Sequence, residues 1–286
     1  MIKRYISLTK PGIIMGNAIT ASGGFFLASR GAFDPVLYLA MLAGLSLIIA
    51  SGCVINNYFD RDIDGLMERT KNRALVSGAM VPIAPWKAIF FAAALGVLGV
   101  WILYRYTNLL TLEVALFGAF VYIVLYTLWS KRRSTKSTFI GSLSGAVPPV
   151  IGYCAVTNTI DAAAILLFLI LVLWQMPHFF AIALYRIEDY TAAAIPVLPV
   201  KKGILATKIQ MILYINAFIV ATLALTALDY TGYFYALVMA VLGIVWLVLA
   251  IMGFKAPDTK KWARRMFILS LVVIVTFPVM LAIDVR

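Results

Sequence analysis

The sequence predicts an all-α polytopic membrane protein with nine transmembrane helices, and three observations carry that prediction. The first is composition: 63% of the 286 residues are hydrophobic and 13% charged, where a soluble domain averages about 25% charged. The second is block length. The apolar residues come in runs of the roughly 20 residues that a helix needs to cross a bilayer, without the alternation that a membrane β-barrel requires. The third is charge placement: with nine spans, almost every Lys and Arg falls on one side. The net charge of +12 then reports topology and attraction to membrane lipids, and no nucleic acid is expected as a partner. The pattern is continuous, so residues 1–286 are read as a single membrane-embedded domain.

The spans follow in order near 13–29, 36–56, 86–104, 109–128, 138–156, 162–184, 208–228, 232–253 and 266–283. Met1-Ile2-Lys3-Arg4 has the basic start of a signal peptide, but the first span belongs to a chain embedded throughout and is read as retained. Pro11 starts that span, and Gly12, Gly16, Gly23 and Gly24 predict close helix packing. The second span ends in a polar run. Glu113, near the far end of the fourth, receives no role. Tyr122, Tyr126 and Trp129, ahead of Lys131-Arg132-Arg133, fit an interfacial aromatic belt. The fifth opens on Ser142-Leu143-Ser144-Gly145-Ala146-Val147-Pro148-Pro149, which predicts tight packing and a local break. In the sixth, Pro177 frees a backbone carbonyl and predicts a kink. Cys53 and Cys154 lie in apolar sequence without CxxC spacing and read as small core residues.

Orientation follows from the basic residues. One side gathers Lys3, Arg4 and Lys10; Arg61, Arg69, Lys71, Arg73 and Lys87; Lys131, Arg132, Arg133 and Lys136; Arg186, Lys201, Lys202 and Lys208; and Lys255, Lys260, Lys261, Arg264 and Arg265. Only Arg30, Arg105 and Arg286 fall opposite. This predicts a multi-pass protein of the cell inner (cytoplasmic) membrane, N-terminus in the cytoplasm and C-terminus outside. The two longest connections, about 57–85 and 185–207, are then both cytoplasmic, and function is expected on long loops over a rigid scaffold. The second span and the sixth, four spans later, each lead into an acidic loop, which suggests a duplicated four-helix unit.

Two constellations carry chemistry. Asn56, Asp60 and Asp64 are spaced i, i+4, i+8 and share one helical face. A solvated mixed-charge loop is the bland reading of such a run. Oxygen ligands stacked at the edge of hydrocarbon point instead to a hard cation such as Mg²⁺, which binds through carboxylates and substrate phosphates. Arg61, Arg69, Lys71 and Arg73 follow within reach of those phosphates. The second constellation is Trp174-Gln175-Met176-Pro177-His178-Phe179, then Tyr185-Arg186-Ile187-Glu188-Asp189-Tyr190. His178 is the only histidine. It is either a packed, hydrogen-bonded core residue or a functional group, since ionisable residues inside a membrane are costly. It lies about 12 Å inside Arg186 along a helix.

These residues resemble the UbiA-type membrane prenyltransferase superfamily, through Asn56-x-x-x-Asp60-x-x-x-Asp64. Within it the chain is similar to the heme O synthases, through Thr9-Lys10-Pro11-Gly12, Glu68-Arg69-Thr70-Lys71-Asn72-Arg73, Ser144 to Pro149, Trp174 to His178, and Asp189-Tyr190 through Ile195-Pro196-Val197-Leu198-Pro199-Val200. Together these cover nearly the whole chain. There are departures. Superfamily members usually carry a second DxxxD after the sixth span, where this chain has Arg186 and Tyr190, and Ala194 stands where many carry Gly. The resemblance implies a UbiA-like helical bundle with cytoplasmic active-site loops. It implies farnesyl transfer from farnesyl diphosphate to a vinyl group of heme b, with water, giving heme O and diphosphate. Mg²⁺ would be held by Asn56, Asp60 and Asp64. Diphosphate would be held by Arg69, Lys71, Arg73, Arg186, Asp189 and Tyr190. His178 would face heme or the attacking water, and Arg132 or Arg133 would meet the heme propionates. Asp60, Asp64, His178 and Arg186 are the implied catalytic set, and heme A synthase or other terminal-oxidase assembly proteins the implied partners. The alternatives are a different aromatic acceptor, such as a quinone precursor, or a membrane cation transporter.

Overall fold

A computed structural model describes residues 2–68, 70–73, 75–76 and 84–286. Arg69 lies outside them. Among the described residues nine helices are long and apolar enough to cross a membrane. A short helix, α1 (Ile2–Leu8), precedes α2 (Pro11–Ser29), α3 (Pro35–Phe59) and the single turn α4 (Arg61–Asp64). Then come α5 (Pro85–Tyr106), α6 (Leu109–Phe120), α7 (Ser137–Gly145), α8 (Val147–Thr157), α9 (Ala162–Tyr185) and α10 (Ile187–Ala192). The chain ends with α11 (Leu198–Ala227), α12 (Tyr233–Met252) and α13 (Thr259–Ile283). Several spans begin where local chemistry demands. Pro11, Pro35 and Pro85 stand at helix starts, and Asp34 and Asp161 cap the first amides of α3 and α9, satisfying donors that hydrocarbon would leave orphaned.

Three local expectations meet particular outcomes. The break in the fifth span is present at Ala146, between α7 and α8. The sixth span runs as one helix through Pro177. The fourth does not stay α-helical: Val121–Ser130 winds as a π-helix, and Lys131 N–H reaches back five residues to Tyr126 O at 3.0 Å. Long π segments are rare and cluster at functional sites.

Packing divides the first span in two. A Cβ on Gly24 would collide with the Pro149 carbonyl, and one on Gly152 with that of Ala21, so α2 and α8 cross backbone to backbone. Gly23 abuts Pro278 of α13 in the same way. Gly12 and Gly16, expected to pack likewise, face open space instead. Two large apolar clusters fill most of the bundle, one mainly among α8, α9, α11, α12 and α13, the other among α2, α3, α5, α6 and α8. Phe90, Val220 and Leu237 are exposed on the outer surface, as side chains meeting lipid would be. At one end, Met67 packs against Ala183, Ala193, Ile195 and Val197, and Glu68 N–H donates to Asp189 Oδ1 at 3.1 Å. The two long connections therefore meet over the same end of the bundle.

Candidate active site

Asn56, Asp60 and Asp64 keep their common face although the long helix stops at Phe59. Asp60 N–H donates to Asn56 O at 2.9 Å and Asp64 N–H to Asp60 O at 2.8 Å, so the backbone winds on through the joint. All three side chains are buried, Asp60 completely, while Arg61 and Asp62 between them are exposed. Buried carboxylates need partners. Arg73 Nη1 donates to both Asp64 oxygens at 2.9 and 2.7 Å. Lys131 Nζ donates to Asp60 Oδ2, and Arg132 Nη2 stands 3.8 Å from Asp60 Oδ1. Arg132 also grips Asp62 with two bonds of 2.7 Å, which hold that carboxyl down at about 2. Lys10 Nζ donates to Asn56 Oδ1 at 2.6 Å, and Asn56 Nδ2 donates to Thr127 Oγ1 of the π segment at 3.1 Å. Burial lowers the Lys10 ammonium to about 8, with the Arg73 and Lys131 charges adding to the effect.

Lys10, Lys131 and Thr127 received no site role from the sequence. They come from elements remote in the chain, and only the π-helical end of the fourth span turns Thr127 and Lys131 inward. Arg132, assigned to heme propionates, is placed on the acids, and Arg133 is exposed. Lys71 pairs with Glu68 at the surface, 2.7 Å away. Tyr122 stacks on Tyr126, centroids 5.9 Å apart, and lines the interior cavity. Of the three aromatics read as a belt, Trp129 is exposed.

Across the end, Arg186 joins α9 to α10. Its guanidinium lies 4.8 Å over the Tyr185 ring and 4.0 Å from Asp189, while Tyr190 packs with the Met67 cluster. Two turns deeper, His178 is buried. Its ring stacks on Trp174 at 4.7 Å and lies 5.2 Å from Phe267, and Nδ1 is 2.8 Å from Ser270 Oγ.

A cavity of about 370 Å³ reaches from Gly52 and Cys53, one turn before Asn56, to the Trp174–Phe179 stretch. Gly12 and Gly16 of α2 line it too, as do Trp174 and His178. Leu45, Ala115, Ile151 and Leu171 add apolar wall. Among the described residues no three His, Cys, Asp or Glu side chains already converge as a metal cluster. One atom nevertheless fits a hard cation: Asp60 Oδ1 is buried without a hydrogen-bond partner, beside Asn56 and Asp64, whose oxygens are the ligand type that Mg²⁺ takes.

Buried acids one helical turn beyond an apolar cavity, with cations packed around them, suit a diphosphate carrying a hydrocarbon tail. Residues 17–272 match the UbiA prenyltransferase family, and the chain belongs to it. Curated relatives include the protoheme IX farnesyltransferases of Photorhabdus laumondii, 52% identical over 99% of this chain and 96% of the relative, and of Yersinia pseudotuberculosis, 52% identical over 99% and 95%. Among solved structures, digeranylgeranylglyceryl phosphate synthase superposes with a TM-score of 0.79 at 20% identity, covering 98% of both chains. A UbiA homolog from Archaeoglobus fulgidus, bound to GPP and Mg²⁺, does so with a TM-score of 0.70 at 13% identity, over 98% of this chain and 99% of that one. At such identities the structures establish the fold.

Proposed function

We propose that the chain transfers the farnesyl group of farnesyl diphosphate to a vinyl group of heme b, with addition of water, giving heme O and diphosphate. The observation that carries this is an apolar cavity that reaches from Gly52 and Cys53, one turn before Asn56, to His178, in a chain half identical to protoheme IX farnesyltransferases. Length agrees. Leu45 lies about 16 Å below Asn56 at 1.5 Å per helical residue, and an extended chain of roughly a dozen bonds spans about 14 Å.

In this reading Asn56, Asp60 and Asp64 hold Mg²⁺. When bound, it neutralises charge on the departing diphosphate. Arg73 and Arg186, with Arg69 and Lys71 from the same connection, hold the diphosphate oxygens, and Lys10 and Lys131 add positive charge at the rim. The allylic C–O bond breaks with its electron pair leaving on diphosphate. The apolar wall keeps water from the cation, and the vinyl group of heme attacks it to form the new C–C bond. The charge passes to the carbon beside the macrocycle, where a water oxygen attacks and gives up its proton to a base. His178 serves this half-reaction as that base or as a heme ligand. The site end faces the cytoplasm of the inner membrane in this reading, on the strength of the one-sided Lys and Arg.

Chromatography of membranes expressing the chain, supplied with farnesyl diphosphate and heme b, tests the reaction. Heme O should appear. Product from hydroxybenzoate in its place would assign another acceptor.

A further inference from the structure

Ser270 lies in the last span, 92 residues from the histidine it touches, and nothing in the sequence marks it. Its Oγ is 2.6 Å from the carbonyl of Phe267. A carbonyl oxygen only accepts, so the single hydroxyl proton of Ser270 is committed there. The same Oγ is 2.8 Å from His178 Nδ1. With no proton left to give, the hydroxyl accepts, and Nδ1 must carry the hydrogen. Nε2 of a neutral imidazole is then the lone-pair nitrogen, and it makes no hydrogen bond among the described residues. Rotation is blocked as well: Trp174 stacks on the ring while its own Nε1–H donates to Ser270 O at 2.9 Å. One residue thus ties down both the histidine and the indole that clamps it, in the wall of the cavity.

We infer that Ser270 is a positioning residue that fixes His178 as the Nδ1–H tautomer, leaving its Nε2 lone pair for the cavity. This rests on the proposed reaction for its consequence but not for its geometry. Both roles open to His178, taking a proton from water and ligating heme iron, need that lone pair. A histidine presenting Nε2–H could do neither.

Two readouts test it. His178 is the only histidine, so histidine labelled with ¹⁵N reports on it alone. The purified full chain should show a protonated Nδ1 and a bare Nε2. Ser270→Ala keeps the backbone carbonyl that receives Trp174 and removes only the hydroxyl, so its spectrum should move toward Nε2–H. In kinetics, Ser270→Ala should lower kcat for heme O about 10–100-fold, the usual cost of losing such a supporting contact. KM for farnesyl diphosphate and melting temperature should stay at wild-type values. Ser270→Cys, a weaker hydrogen-bonding group, should fall between. Nε2–H in the wild type, or a spectrum unchanged by Ser270→Ala, overturns the inference. So does a kcat loss that merely tracks lost folded protein. Failure of the wild type to make heme O would instead sink the proposed reaction, leaving the tautomer to be read from the spectrum.

Discussion

The helix joints that end the second and sixth spans share a hydrogen-bond pattern and differ in charge. Asn56, Asp60 and Asp64 are joined by successive i to i+4 bonds of 2.9 and 2.8 Å, and Ile182, Arg186 and Tyr190 by bonds of 2.9 and 3.2 Å. In both, the middle residue ends a long helix and starts a short one, Asp60 between α3 and α4, Arg186 between α9 and α10. The side chains then diverge. Two buried acids occupy the first, surrounded by cations; a half-exposed arginine and a tyrosine occupy the second. The same turn can present a cation site or an anion site, and in the proposed reaction the two would serve the metal and the diphosphate. The echo between the halves is thus one of backbone geometry, which explains why no alignable repeat is visible in the sequence.

The comparison can be broken at several points. Asp60→Ala and Asp64→Ala should each lower farnesyl transfer about 10²–10³-fold, the scale of losing one preorganised electrostatic contact at a leaving group. Asp62→Ala removes only the exposed pair with Arg132 and should stay within about fivefold. Similar losses for all three, measured as diphosphate released, would erase the distinction between buried and exposed acids. Arg186→Ala should raise KM for farnesyl diphosphate about tenfold or more, the worth of a charge-assisted contact, without removing the response to Mg²⁺. Loss of that response would put Arg186 at the metal instead.

Lys131 sharpens the first half further. It already occupies Asp60 Oδ2, so a cation bound at Oδ1 would share that carboxylate's charge with it. Lys131→Ala should melt lower than wild type without metal, because an unpaired buried carboxylate is destabilising, and should gain more on adding Mg²⁺. Equal metal-induced shifts in a thermal melt would deny that the two compete. The smallest effect belongs to the second half. Ala194 sits at φ 52°, a left-handed conformation costing a residue with a Cβ roughly 1–2 kcal/mol. Ala194→Gly should therefore stabilise by about 1 kcal/mol or slightly less, since glycine loses more entropy on folding. Denaturation in detergent measures it.

Much of this was legible in the sequence for a physical reason. Hydrocarbon forces every span to declare itself by length and apolarity, and Asn56, Asp60 and Asp64 at i, i+4, i+8 share one helical face, so local periodicity was enough to group them. What was not legible depends on contacts between distant segments. Lys10 and Lys131 reach the ladder from 46 and 71 residues away. The π-helical winding at 121–130 that delivers Lys131 leaves no mark in an apolar run. Gly12 and Gly16 looked like packing glycines and instead open the cavity, a difference set by what lies opposite them. The Gly residue that many relatives carry in place of Ala194 was visible as a departure, and its meaning came only with the backbone angle.

The account stands on a division of labour within one cavity: the ladder for diphosphate, His178 for heme. The most direct test compares equilibrium binding of labelled farnesyl diphosphate with heme O formation in His178→Ala. Binding should match the wild type within about twofold while heme O falls about 10²–10⁴-fold, the range for losing general-base help. Heme O output near wild type, or farnesyl diphosphate binding lost along with it, would contradict the division.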